Sequence, residues 1–145
     1  MMMVKFPKVG IVVPKPTGFK KKILSGEKRH TVRHSYEFWK KRIDEINAGR
    51  AILSVRQWSG RPYNSKQKEI KQFKQGEVSY QSVAITGQAS DVGIQQSSGG
   101  YKLLSNKKIK TLAENDGVTL KQFQSFFKGG VLDGIIIHFT TKTRY

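Results

Sequence analysis

The chain reads as an α+β fold, or as a small β-barrel with several short helices packed around it. Three observations predict this. Alternating apolar and polar residues mark short strands, large apolar residues at helical spacing mark short helices between them, and Gly, Pro and Asn punctuate the joins. No internal repeat or linker divides the 145 residues, so a single domain over 1–145 is expected. A hydrophobic content of 37% is low, but eight Phe, five Tyr and two Trp supply large side chains for a core.

Taken in order, residues 4–13 read as an edge strand or an extended arm within 1–16, because Pro7 lacks the N–H that a central strand needs. Pro14-Lys15-Pro16 breaks the chain, and Thr17 is placed to cap a short helix. Phe19 and Ile23 lie four apart on one face of that helix, with Lys20, Lys21 and Lys22 as its solvated face. Gly26 supplies the left-handed residue that stops it, and Thr31-Val32-Arg33 opens a strand. Ser35 is the expected cap of a second helix carrying Tyr36, Trp39, Ile43 and Ile46, with Gly49 past its end. Residues 51–58 alternate as a strand.

Residues 57–68 then read as a polar loop holding Trp58, Arg61, Tyr63 and lysines. Rings interleaved with cations suit unpaired bases, which stack on the rings while lysines meet phosphates. A Gly-Pro turn whose Trp58 and Tyr63 merely cover a sheet edge fits the same residues equally well. Residues 78–94 are rich in Val, Ile, Ser and Thr, and predict one long bent strand or two strands of a barrel. Ser97-Ser98-Gly99-Gly100 is a turn, and Tyr101 to Leu104 its return strand. Lys107 to Glu114 form a short helix on Ile109, Leu112 and Ala113, ending at Asn115-Asp116-Gly117. Thr119 and Gln122 are a capping-box pair for a helix through Phe123, Phe126 and Phe127, stopped by Gly129-Gly130. The closing run, 134–140, is apolar enough to be a central strand.

Charge is the strongest global fact: 27 Lys and Arg against 10 Asp and Glu leave a net +17. Such a field attracts polyanions, and nucleic acid or a nucleotide is the partner it leads one to expect. A lysine-rich solvated surface is the bland alternative, and an anionic membrane surface fits less well because no long basic amphipathic helix is present. The absence of cysteine removes disulfides and thiolate metal sites. Three histidines, His30, His34 and His138, do not make a zinc set, so neither a metal nor another cofactor is expected. No apolar run reaches the roughly 18–20 residues of a membrane span, and the start lacks a signal-peptide cleavage pattern. A soluble, cytoplasmic protein is expected.

The stretch Ile23-Leu24-Ser25-Gly26-Glu27-Lys28-Arg29-His30-Thr31-Val32-Arg33 joins a helix stop to a dense polar set, and reads as the floor of a cleft. A lysine beside a threonine can be chemistry, since a neutral amine takes the hydroxyl proton and creates a nucleophile. Cations or burial near Lys28 would lower its pKa in that direction. His30 and His34, flanking a strand start, read as surface or phosphate-facing imidazoles, whereas His138 in an apolar strand reads as a hydrogen-bonded core residue.

The same stretch resembles the signature of ASCH domains, of the PUA-like superfamily: a helix ending in a small residue and Gly, a lysine two positions on, then Thr-hydrophobic-Arg. The loop Trp58-Ser59-Gly60-Arg61-Pro62-Tyr63 and the tail from Leu112 to Gly117 and through Ile136-Ile137-His138 also resemble that family. The resemblance implies a small PUA-like β-barrel whose cleft binds RNA, nucleotides or modified nucleosides. Lys28, Arg29, Thr31 and Arg33 would line it, and Trp58, Arg61 and Tyr63 would sit on a loop closing over it. Some small members are amidohydrolases that deacetylate N4-acetylcytidine through a Lys-Thr-Glu set. By position that set falls on Lys28, Thr31 and Asp116, the last being one carbon shorter than the family's glutamate, with Glu114 nearby.

Overall fold

The computed structural model describes residues 6–14 and 18–145; the expected cap Thr17 and the start of the arm lie outside the described residues. The class is α+β. In chain order the elements are β1 (Lys8–Val12), α1 (Phe19–Ser25), β2 (His30–His34), α2 (Tyr36–Asn47), β3 (Ile52–Trp58), β4 (Gln67–Phe73), β5 (Ser79–Thr86), β6 (Asp91–Gln95), β7 (Tyr101–Leu103), α3 (Asn106–Asn115), α4 (Leu120–Phe126) and β8 (Val131–His138).

The barrel expected from the sequence does not form. Among the described residues the strands make two open sheets, one ordered β1-β3-β4 and the other β2-β8-β5-β6-β7. Side chains, rather than a backbone ladder, join them. Where the β1 edge meets the β2 edge, Arg33 of β2 donates from Nη2 to the Val12 carbonyl at 2.7 Å, so a guanidinium stands where a strand partner would. At the other meeting point Phe73 of β4 stacks on Phe139 just past β8, with ring centres 5.0 Å apart and planes 13° apart. A charged side chain at one contact and a ring stack at the other therefore link the two sheets without continuing a backbone ladder.

The core lies between the sheets and under the helices. Ile11, Leu53 and Val55 contribute from the first sheet, Val83, Ile85, Val92, Ile94 and Ile135 to Ile137 from the second, and Ile43 and Ile46 from α2. β8 is flanked by β2 and β5, as suits its buried apolar run Ile135-Ile136-Ile137. The stretch 78–94 is two strands joined through a turn with Gly87 at φ +60°. Two local expectations need correction. Gln67–Phe73 is a strand paired antiparallel with β3, so the polar loop is shorter than residues 57–68. Its mostly polar, outward-facing residues carry little of the apolar signal from which strands are read. Ser35 precedes α2 but lies in the left-handed region, φ 68°, and its hydroxyl makes no cap. By contrast, Ser105 caps α3 and the Thr119–Gln122 capping box is fully formed on α4. No helix among the described residues is long and apolar enough to cross a membrane.

Candidate functional site

Lys28 is among the largest side chains to be almost wholly buried in the described residues, at 1% exposure. It sits just after α1, which Gly26 ends in the left-handed conformation, and its backbone N–H returns to the Lys22 carbonyl. The next residue is clamped on both sides: Arg29 N–H donates to the Asn115 carbonyl at 2.6 Å, and its carbonyl accepts from Phe139 N–H at 2.8 Å. This lays Lys28 across the C-terminal end of α3. There its ammonium donates to the Asp116 carbonyl at 2.7 Å and to Asp116 Oδ1 at 3.2 Å, while lying 4.1 Å from the centre of the Phe19 ring. A cation at a helix C-terminus is favoured by the helix dipole, and the ring face adds a second attraction. Gly117 makes the approach possible. It has φ +83°, and a Cβ there would stand 3.1 Å from Lys28 Cβ.

Asp116 Oδ1 also takes a hydrogen bond from His30 Nδ1 at 3.1 Å. Here the sequence expectation fails: His30 is wholly buried, not a surface or phosphate-facing imidazole, and only His34 is exposed. Because Nδ1 must carry the proton to reach a carboxylate, Nε2 is an acceptor, and the Tyr145 hydroxyl donates to it at 2.7 Å. That hydroxyl in turn accepts from Asn115 Nδ2 at 2.9 Å. A directed chain therefore runs from Asn115 through Tyr145 and His30 to Asp116, where it meets the Lys28 ammonium. Burial pushes the Asp116 carboxyl up, but the Lys28 charge and the His30 hydrogen bond outweigh this and hold it below the usual carboxylate range. Burial lowers Lys28 from its ordinary value, against the opposing pull of Asp116. Burial likewise lowers His30, which stays neutral.

Thr31 and Arg33 share one face of β2, two residues apart. Arg33 folds back and donates from Nη1 to Thr31 Oγ1 at 2.6 Å. The Thr31 hydroxyl is thus an acceptor from a fixed cation, which leaves its own proton free. Lys28, Thr31, Arg33 and Asp116 line one cavity of about 190 Å³, walled by Pro14, Phe19, Phe126 and Phe127. Of these residues, Asp116 accepts no hydrogen bond at Oδ2 from the described residues, and Lys28 commits two of its three N–H groups to Asp116. The cavity thus offers a charged acceptor, a charged donor and a hydroxyl. Lys28 gives no hydrogen bond to Thr31.

No family model, curated protein or solved structure matched the chain in comparison. The site's chemistry is therefore read from its own geometry. The structure gathers Lys28, Thr31, Arg33 and Asp116, but it places Arg29 and the 57–63 loop elsewhere. Arg29 points to a separate pocket on the other side of Lys28. Trp58 and Tyr63 pack ring to ring at 5.2 Å and line a groove of about 530 Å³ with Val12, Val13, Pro14, Gly60, Pro62 and Gln67. That groove touches the Thr31 cavity through Pro14, which lines both. Tyr63 is 88% exposed with φ 65°, and Arg61 is exposed but lines neither space.

Sequence reading missed Asn115, Tyr145 and Gln81. Gln81 Oε1 accepts from His138 Nε2 and from Tyr145 N–H, and its Nε2 donates to the Tyr145 carbonyl. These partners lie 30 to 115 residues apart along the chain, so no local pattern could have joined them. Among the described residues no group of His, Cys, Asp and Glu is placed to hold a metal.

Proposed function

We propose that the chain binds RNA or a nucleotide, with one base entering the cavity between Lys28, Thr31 and Asp116. The observation that carries this reading is the buried Lys28–Asp116 pair, which keeps a donor and an acceptor in reserve at the wall of a 190 Å³ cavity. Pockets for drug-sized ligands run to about 300–1,000 Å³, so this one suits a single base or a comparably small group. Carboxylates accept from the exocyclic amine of cytosine, and cations donate to ring and carbonyl acceptors, the pairing that this wall presents. The +17 charge supports a phosphate-bearing ligand, and the resemblance of residues 23–33 to the ASCH signature points the same way.

The test is fluorescence anisotropy with a short labelled single-stranded oligoribonucleotide at several salt concentrations. Salt-sensitive binding, weakened about tenfold or more by Thr31→Val and by Lys28→Met, is the expected result. Binding that is untouched by both substitutions, in variants with unchanged circular dichroism, refutes the cavity as the site.

One observation favours a second reading, an amidohydrolase acting on an N4-acetylcytidine-like nucleoside. The Arg33 cation on Thr31 Oγ1 would stabilise a developing alkoxide, and burial biases Lys28 toward the neutral amine. In that scheme Lys28 takes the Thr31 proton, Thr31 attacks the acetyl carbonyl, and the exocyclic amine leaves with the proton. Water then releases acetate from the acyl-threonine. Lys28 is held against this role by two hydrogen bonds to Asp116, which makes it a donor in the resting state. Incubation with acetylated cytidine separates the readings: release of acetate, abolished by Thr31→Val, selects the enzyme, and no release leaves the binding function.

A further inference from the structure

The pocket on the far side of Lys28 is a separate site that the cavity chemistry does not use. It has a volume of about 340 Å³ and opens at the seam where the two sheets meet. Three pieces of chain far apart in sequence build it: the turn after α1, the end of β4, and the segment following β8. The turn contributes Arg29, β4 contributes Lys71, and the last segment contributes Lys142 with the hydroxyls of Thr140 and Thr143. No aspartate or glutamate lines it. Among the described residues none of Arg29, Lys71 and Lys142 forms an ion pair.

Arg29, Lys71 and Lys142 line one concavity with no carboxylate among its walls, and the contact seen for Lys71 is with the Phe73 ring, 5.1 Å from its centre. The frame beneath them is rigid. Arg29 is fixed by hydrogen bonds at both its N–H and its carbonyl, and the stacked Phe73 and Phe139 rings form the floor. We propose that this seam pocket is a phosphate-binding seat, taking a phosphate monoester or diester group. Guanidinium, ammonium and hydroxyl donors around one space match the tetrahedral acceptor oxygens of phosphate, with Arg29 able to bind two of them at once. Lys28 lines both this seat and the Thr31 cavity, which places the two spaces next to each other. That the phosphate belongs to a nucleotide whose base occupies the inner cavity rests on the function proposed above.

Two probes keep the two statements apart. Pyrophosphate, titrated into the ¹⁵N-labelled full chain, tests the seat alone. Saturable amide shifts confined to Arg29, Lys71 and residues 139–143, strongly reduced in a Lys71→Gln, Lys142→Gln double variant, are expected. Among the described residues neither lysine side chain forms a hydrogen bond or an ion pair, and unchanged circular dichroism of the variant checks that loss of the Lys71–Phe73 ring contact leaves the fold intact. Shifts spread evenly over the basic surface, or unchanged in the double variant, overturn the seat. A single-stranded oligoribonucleotide tests the link to a nucleotide. The double variant is expected to lower the slope of log K against log salt by about 0.7, the value for one lost phosphate contact on a single strand. A charge-matched control, Lys107→Gln with Lys108→Gln on α3, is expected to lower it by much less. Equal losses from both pairs overturn the seat as a backbone contact. Pyrophosphate binding at the seam without any oligoribonucleotide binding upholds the seat and overturns the nucleotide function.

Discussion

His138 gives the fold a defined acid weakness. Its Nε2–H donates to Gln81 Oε1 at 2.9 Å, an orientation fixed because the same oxygen accepts from Tyr145 N–H. Nδ1 is then a bare acceptor, and it is the one buried side-chain polar atom without a partner among the described residues. Burial, with smaller repulsion from His30 and Arg144, lowers the imidazole from 6.5 to about 3. The sign follows from linkage. The unfolded chain binds a proton at His138 below about pH 6.5 and the folded chain does not until about pH 3, so stability falls with pH across that window. Each pH unit is worth about 1.36 kcal/mol, so at about pH 4.5 the loss from His138 is about 2.7 kcal/mol. His30, also lowered chiefly by burial, adds in the same direction. Replacing His138 with Gln keeps an amide N–H for Gln81 and removes the titration. Urea unfolding at about pH 7 and about pH 4.5 measures the effect. The stability lost between the two is expected to shrink by roughly 2–3 kcal/mol in His138→Gln. An identical loss in wild type and variant would show that the neutral, buried imidazole is not the source.

Other perturbations probe the site directly. Asp116→Asn leaves the buried Lys28 ammonium without its counter-charge, and should cost about 3–5 kcal/mol by urea unfolding; a loss under 1 kcal/mol would mean that the pair is easily rehydrated. Gly117→Ala forces a side chain into the left-handed region and against Lys28, and is expected to cost at least the roughly 1–2 kcal/mol of that conformation. Its fall in melting temperature should exceed that of Gly76→Ala, where φ is +81° but nothing lies within 4 Å. Tyr145→Phe removes the hydroxyl that donates to His30 and accepts from Asn115, and should cost about 1–3 kcal/mol. Hydrogen exchange at the β2 amides should then accelerate with it, and unchanged exchange would place Tyr145 outside the network.

The helices and most of the strands, though not their order in the sheets, were legible in the chain. Helix stops at Gly26 and Gly49, the capping box at Thr119 and the apolar run of β8 are local signals, written within a few residues of one another. β4 was not legible, because an outward-facing strand of Gln, Lys and Glu owes its existence to pairing with β3 rather than to its own pattern. The barrel failed for a related reason: closure depends on whether two distant edges meet, and where the β1 and β2 edges approach, this chain places the Arg33 guanidinium instead of a backbone ladder.

The candidate site divides in the same way. By itself, the sequence determined that Lys28, Thr31 and Arg33 lie close together after a helix stop, and that the chain carries a large positive charge. Only the tertiary structure decided which of the many cations is buried, and it chose Lys28 because the end of α3 brings a carbonyl and a carboxylate to it. It also turned His30 inward onto that carboxylate, and sent Arg29 outward to a different pocket. A lone ammonium cannot remain buried, so its place is set by where its counter-charge arrives, 88 residues along the chain.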